Sequence, residues 1–135
     1  MTFIPAYVQK EFETNKANAR VGSRLVSHTE RVRVWHIVCQ PGDRLPVHKH
    51  QLDYFWTIHG PGKARSHFNN GRISEIEYQN GDTQHHKFAE GEFFMHDLEN
   101  IGDTPLVFTT VEFLDSANPP LPIEPMEGDL AAVSI

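Results

Sequence analysis

Gly42-Asp43-Arg44-Leu45-Pro46-Val47-His48-Lys49-His50 is the stretch whose reading decides the fold. It follows a Pro41-Gly42 turn and leads into the apolar and aromatic run Leu52 to Ile58. On a β-strand, residues two apart share a face, so His48 and His50 aim both imidazoles at one point. On a helix the same spacing splays them about 200° apart, and the pair has no common target. Two convergent imidazoles on extended backbone are the beginning of a transition-metal site.

The surrounding segments are short and punctuated by Gly, Pro and Asn. Val32, Val34, His36 and Val38 alternate with Arg31, Arg33, Trp35 and Ile37, a strand with mixed faces. Tyr54 to Ile58 is a second strand rich in aromatic and β-branched residues. Asn70-Gly71 separates Lys63–Phe68 from Ile73–Tyr78, and Asn80-Gly81 precedes Thr83–Phe88. Asn-Gly between alternating runs predicts hairpins with type I′ turns. Phe93 to His96 and Leu106 to Leu114 add two strands. Only Val8 to Arg20 lacks Pro and Gly over a helical length, and its apolar residues are too few to predict a buried face. Many short strands with regular turns predict an all-β sandwich or barrel. The four prolines between Ala117 and Pro125 predict an extended arm over the surface or across a partner.

The 135 residues predict one domain with a core that needs no staples. Within it, residues 1–34 form an N-terminal segment with a strand or short helix, 35–114 the barrel core, and 115–135 the Pro-rich arm. The single Cys39 and the absence of a charged-then-apolar leader favour a reducing, cytoplasmic location. No apolar run approaches the ~20 residues that cross a bilayer. A net charge of −6 with scattered Lys and Arg argues against nucleic acid as a partner.

The motifs resemble those of the cupins, small jelly-roll (double-stranded β-helix) barrels with two linked motifs. The first runs Gly, five residues, His-x-His, three or four residues, Glu, six residues, Gly. Gly42, His48 and His50 match its front half and Gly62 its end. The second closes on His, three residues, Asn, matched by His96 and Asn100. The chain is most similar to small single-domain bacterial cupins, including the kind linked to β-alanine degradation, which also carry Asp-Tyr after His-x-His. In that family three histidines and the glutamate bind Fe, Mn, Ni or Zn inside the barrel. Here the glutamate position is Tyr54, and Asp53 beside it turns to the other strand face. The resemblance therefore implies a three-histidine site of His48, His50 and His96, with His36, and then His67 or His86, as substitutes for the third ligand.

Neutral imidazoles without a carboxylate suit Fe(II), with Zn, Ni or Mn as alternatives, and disfavour Mg and Ca. The resemblance implies a metal-dependent dioxygenase acting on a small organic acid or carbonyl compound. Tyr54 would hydrogen-bond substrate, with His36, Trp56 and Ile58 forming the pocket. A redox-neutral isomerase or lyase, and a non-catalytic small-ligand binder, are the alternative functions. Trp35, Phe93, Phe94 and Phe108 are expected to pack, Glu75, Glu77, Glu90, Glu92 and Glu99 to be solvated, and Cys39 to be a small buried hydrophobe. A homodimer clasped by Pro119 to Pro125 is expected, to cover strand aromatics. No membrane or nucleic-acid partner is expected.

Overall fold

The computed structural model describes residues 3–130. A helix, α1 (Ala6–Thr14), precedes nine strands: β1 (Arg24–His28), β2 (Val32–Cys39), β3 (Arg44–His50), β4 (Tyr54–Ile58), β5 (Gly62–His67), β6 (Ile73–Tyr78), β7 (Thr83–His86), β8 (Phe94–Asn100) and β9 (Leu106–Phe113). They form two antiparallel sheets, ordered β1-β2-β9-β4-β7 and β3-β8-β5-β6. This is the expected all-β double-stranded β-helix. Its sheets begin at Arg24, so β1 and the start of β2 extend the barrel ahead of residue 35.

Alternation along each strand sorts the faces. On β2 the inward residues are Arg33, Trp35, Ile37 and Cys39; on β9 they are Leu106, Phe108, Thr110 and Glu112. Ile37, Ile58, Leu98, Leu106 and Phe108 close the bottom of the barrel. Trp35 is fully buried against Val21 and Leu25, and a Cβ on Gly22 would lie 2.6 Å from that of Trp35, so close approach requires glycine there.

Three local expectations are corrected. Asn70-Gly71 does join a hairpin, β5 to β6, but Asn80-Gly81 does not: β6 pairs with β5 while β7 pairs with β4 in the other sheet. In both turns the glycine alone has positive φ, so neither is type I′. An Asn-Gly pair reverses the chain locally, but which strand edge receives the next segment is set by the barrel. The 80–82 turn is tied to the end of β4, where Ile58 N–H donates to Asp82 O (3.0 Å) and Gly81 N–H to Ile58 O (2.9 Å).

The third concerns the N-terminal segment. Helix α1 does bury a face: its Val8 and Phe12, joined by Ile4 just ahead of the helix, pack on Val47 and Met95 outside the four-stranded sheet. A narrow stripe suffices because Glu11 is anchored too. Its carboxylate takes Arg44 Nη1 and Nη2 (2.9 and 2.6 Å) and Val47 N–H (2.9 Å). Arg44 reaches on to Asp97 (3.2 Å), which also accepts His67 N–H (2.7 Å) and lies 3.0 Å from His67 Nδ1.

Leu114 to Leu130 carries no strand and runs as an extended arm over this chain's own barrel. Arg33 Nη2 donates to Leu121 O (3.0 Å), Gln51 Nε2 to Pro119 O (2.6 Å), and Arg20 is bidentate to Asp129. No helix among the described residues is long and apolar enough to cross a membrane.

Candidate metal centre

Strand β3 carries the two motif histidines, and a bulge decides how they point. Leu45 pairs with Leu98 and His48 with His96, so three steps on β3 match two on β8. The irregularity falls at Pro46, which has no N–H to give a ladder. Leu45, His48 and His50 therefore all line the interior despite the odd spacing between the first two. His48 and His96 sit directly opposite one another, and Phe68 bridges to His96 from the other side.

His48, His50 and His96 are brought together: each offers a ring nitrogen, and the three lie within 4.8 Å of one another. Ring centroids are 4.7–5.1 Å apart, edge to face. His48 Nδ1 lies 2.8 Å from Pro46 O; as donor in that bond it leaves the Nε2 lone pair free. The buried Nδ1 atoms of His50 and His96 have no hydrogen-bond partner among the described residues. Buried polar edges left unpaired cost stability unless something binds beside them. Burial pushes the His48 pKa down to about 4, and burial together with the neighbouring rings holds His50 and His96 well below the usual histidine range. All three are neutral at pH 7, the form that ligates a metal. A cluster of neutral imidazoles with no carboxylate fits a borderline divalent transition metal.

Tyr54 occupies the position of the family glutamate and is sandwiched between imidazoles, stacked on His50 at 4.2 Å and on His86 at 4.7 Å. Burial raises its pKa well above that of free tyrosine, so it stays a phenol. Trp56 lines the cavity. Two expected pocket residues do not. His36 is exposed on the outer face of β2, opposite Arg24 and Thr109, because Trp35 and Ile37 take the inward phase. Ile58 is fully buried in the core beneath the cavity. His67 also faces outward, held by Asp97, whereas His86 lines the cavity. Asp53 is structural: its Oδ1 accepts Phe88 N–H at 2.9 Å. So is Asn100 of the second motif, whose Nδ2 donates to Cys39 O (2.9 Å) and Thr104 O (2.8 Å). Cys39 is buried, and burial raises its pKa.

The cavity holds about 530 Å³, with Ile37, Leu98 and Phe108 in its wall and exposed Asn70, Arg72 and Gln84 at its rim. Among the described residues no carboxylate lines it. Sequence reasoning missed Arg72 and Glu112. Glu112 is 2% exposed, stands opposite Tyr54 in the β4–β9 register, and accepts Trp35 Nε1–H at 2.7 Å. Burial pushes its pKa up to about 7, against the indole bond and the nearby Arg33 charge. The phase of β9 was the available signal, since Leu106, Phe108, Thr110 and Glu112 alternate in step.

No protein-family model matches the chain. Over 77 residues, 56% of its length, it is 35% identical to oxalate decarboxylase of Bacillus subtilis (strain 168), but it spans only 19% of that relative. Among solved structures, a cupin domain from Bordetella pertussis Tohama I superposes with a TM-score of 0.55 at 25% identity, covering 63% of this chain and 83% of the other. An RmlC-like cupin with a double-stranded β-helix fold from Methanocaldococcus jannaschii gives 0.54 at 21% identity, covering 67% and 76%.

Proposed function

We propose, from the premise that this chain is a member of the cupin superfamily, that it is an Fe(II)-dependent dioxygenase-type enzyme acting on a small organic acid or carbonyl compound. The observation that carries the proposal is the enclosed cluster of three neutral imidazoles with no carboxylate beside it. His48, His50 and His96 would hold the metal on one side and leave the cavity side for substrate. Bound there, Fe(II) would supply redox chemistry with O₂ and a Lewis acid for a carbonyl. The residues around it would orient and dry the substrate. Tyr54, kept a phenol by burial, would donate its O–H to a substrate oxygen, while Trp56 and Phe94 keep water from the reacting atoms.

Redox-neutral chemistry on a small acid is the second reading, supported by the likeness to a protein named a decarboxylase and by His86, a titratable imidazole in the cavity wall. An oxygen electrode separates the two. Iron-reconstituted protein, screened against short keto, hydroxy, amino and thiol acids, will consume O₂ with one of them. Tyr54→Phe will slow that turnover without displacing metal, by a loss of about 1–3 kcal/mol for one hydrogen bond. Absence of uptake across the panel, with Zn or Mn retained from the cell, decides for the redox-neutral reading.

The homodimer belongs to the same proposal, supported by exposed Val38 and Phe113 on the outer face of the five-stranded sheet. Sedimentation at micromolar concentration will give a dimer; a monomer there removes the claim.

A further inference from the structure

We infer that Arg72 is the residue that selects the substrate, by binding the carboxylate of a small organic acid whose other end lies at the three histidines. The inference rests on the metal site just proposed and narrows its substrate to an anion.

Arg72 closes the β5–β6 turn, and its backbone is fixed there. Phe68 N–H donates to Arg72 O (2.8 Å), Arg72 N–H donates to Asn70 Oδ1 (3.0 Å), and Gly71 takes the positive φ that the reversal needs. The side chain turns to the cavity rim, with its guanidinium carbon 4.3 Å from the centre of the Phe68 ring. That ring is in turn 5.1 Å from the His96 ring. One aromatic ring thus separates the guanidinium from the candidate ligands.

Among the described residues Arg72 makes no ion pair, unlike Arg20, Arg44 and Arg65, which each pair with carboxylates. The cation–π contact orients the guanidinium but leaves its N–H donors free. Among the described residues no carboxylate lines the cavity to balance this charge or that of a divalent metal. With neutral imidazoles, the loaded site would carry an excess of positive charge, which an anion entering with the substrate neutralises. A planar carboxylate matches the guanidinium fork in two parallel hydrogen bonds, whereas a neutral carbonyl compound accepts one weaker bond. Of the substrates considered above, the acid is therefore favoured over the carbonyl compound.

Zinc-loaded wild-type protein, titrated calorimetrically with malonate and with its neutral diester dimethyl malonate, tests this. Metal is measured separately by elemental analysis. Arg72→Gln will keep its zinc and weaken malonate at least tenfold, equivalent to about 1.4 kcal/mol, while leaving the diester unchanged. Arg72→Lys will fall between, keeping the charge without the fork. Equal malonate affinity in zinc-loaded wild type and Arg72→Gln overturns the role of Arg72 and leaves the metal site standing. Wild type that takes up no zinc overturns both.

Discussion

Replacing His96 by alanine will empty the metal site while the barrel stays folded. His96 is the only one of the three candidate ligands on β8, facing His48 across the pair, and among the described residues no fourth metal-ligating side chain joins their cluster. His36 and His67 point out of the barrel, His86 is held off the cluster by the Tyr54 ring that stacks between it and His50, and among the described residues no carboxylate lines the cavity. Losing a first ligand will weaken binding by more than the roughly 10–100-fold that changes to outer-shell partners cost. The fold is spared because the removed imidazole has a buried, unpaired Nδ1 and carries no hydrogen bond that the strands need. The checks are elemental analysis after gel filtration, and the shift in thermal midpoint on adding zinc. A ligand at a thousand times its dissociation constant stabilises by about 4 kcal/mol, so zinc will raise the midpoint of wild type and leave that of the variant unmoved. Full metal content in His96→Ala would show that the ligand set is wrong.

Asp97→Ala will be the most destabilising single substitution on the outer side of the four-stranded sheet, at about 3–5 kcal/mol. Asp97 has no solvent exposure and takes three groups at once: Arg44 Nη1, the His67 backbone N–H and His67 Nδ1. Alanine leaves the His67 backbone N–H and ring Nδ1 without their buried acceptor and takes from Arg44 Nη1 the second of its two carboxylates, at a position with no solvent exposure. The damage will spread to the helix, because Arg44 is also the partner of Glu11. Glu11→Ala will cost less, since Glu11 and Arg44 are each about a fifth exposed and water can reach both. Urea unfolding of the two variants, with zinc content measured in parallel, checks the ranking. A loss below about 1 kcal/mol for Asp97→Ala would mean that the network is screened and not structural.

Much of this molecule is legible in its amino-acid order because strand periodicity is a local rule. Residues two apart share a face whatever they pack against, which is why His48 and His50 converge and why Asp53 and Tyr54 part. Asn70-Gly71 marks the hairpin that carries Arg72 for an equally local reason. The four prolines of the arm keep it out of the sheets by having no N–H to offer.

Alternation does not say which face turns inward. On β2, Val32, Val34 and Val38 make one face look buried, while the other carries Arg33 beside Trp35 and Ile37. The structure buries the face with the arginine: Arg33 stands opposite Glu112 in the β2–β9 register and donates through Nη2 to the arm at Leu121 O, and His36 is thereby left outside. The same holds wherever the partner is distant in the chain. The pairing of β7 with β4, the docking of Val8 and Phe12 of α1, the bulge at Pro46 and the Asp97–His67 contact all depend on a second element being present. The sequence by itself determined the strands, the two-histidine face and the all-β class, since these follow from spacing and backbone chemistry. Only the tertiary structure decided that His96, and not His36, His67 or His86, joins the pair, that Tyr54 stacks between His50 and His86, and that an arginine stands at the rim. Those depend on register between strands some fifty residues apart, which no local pattern encodes.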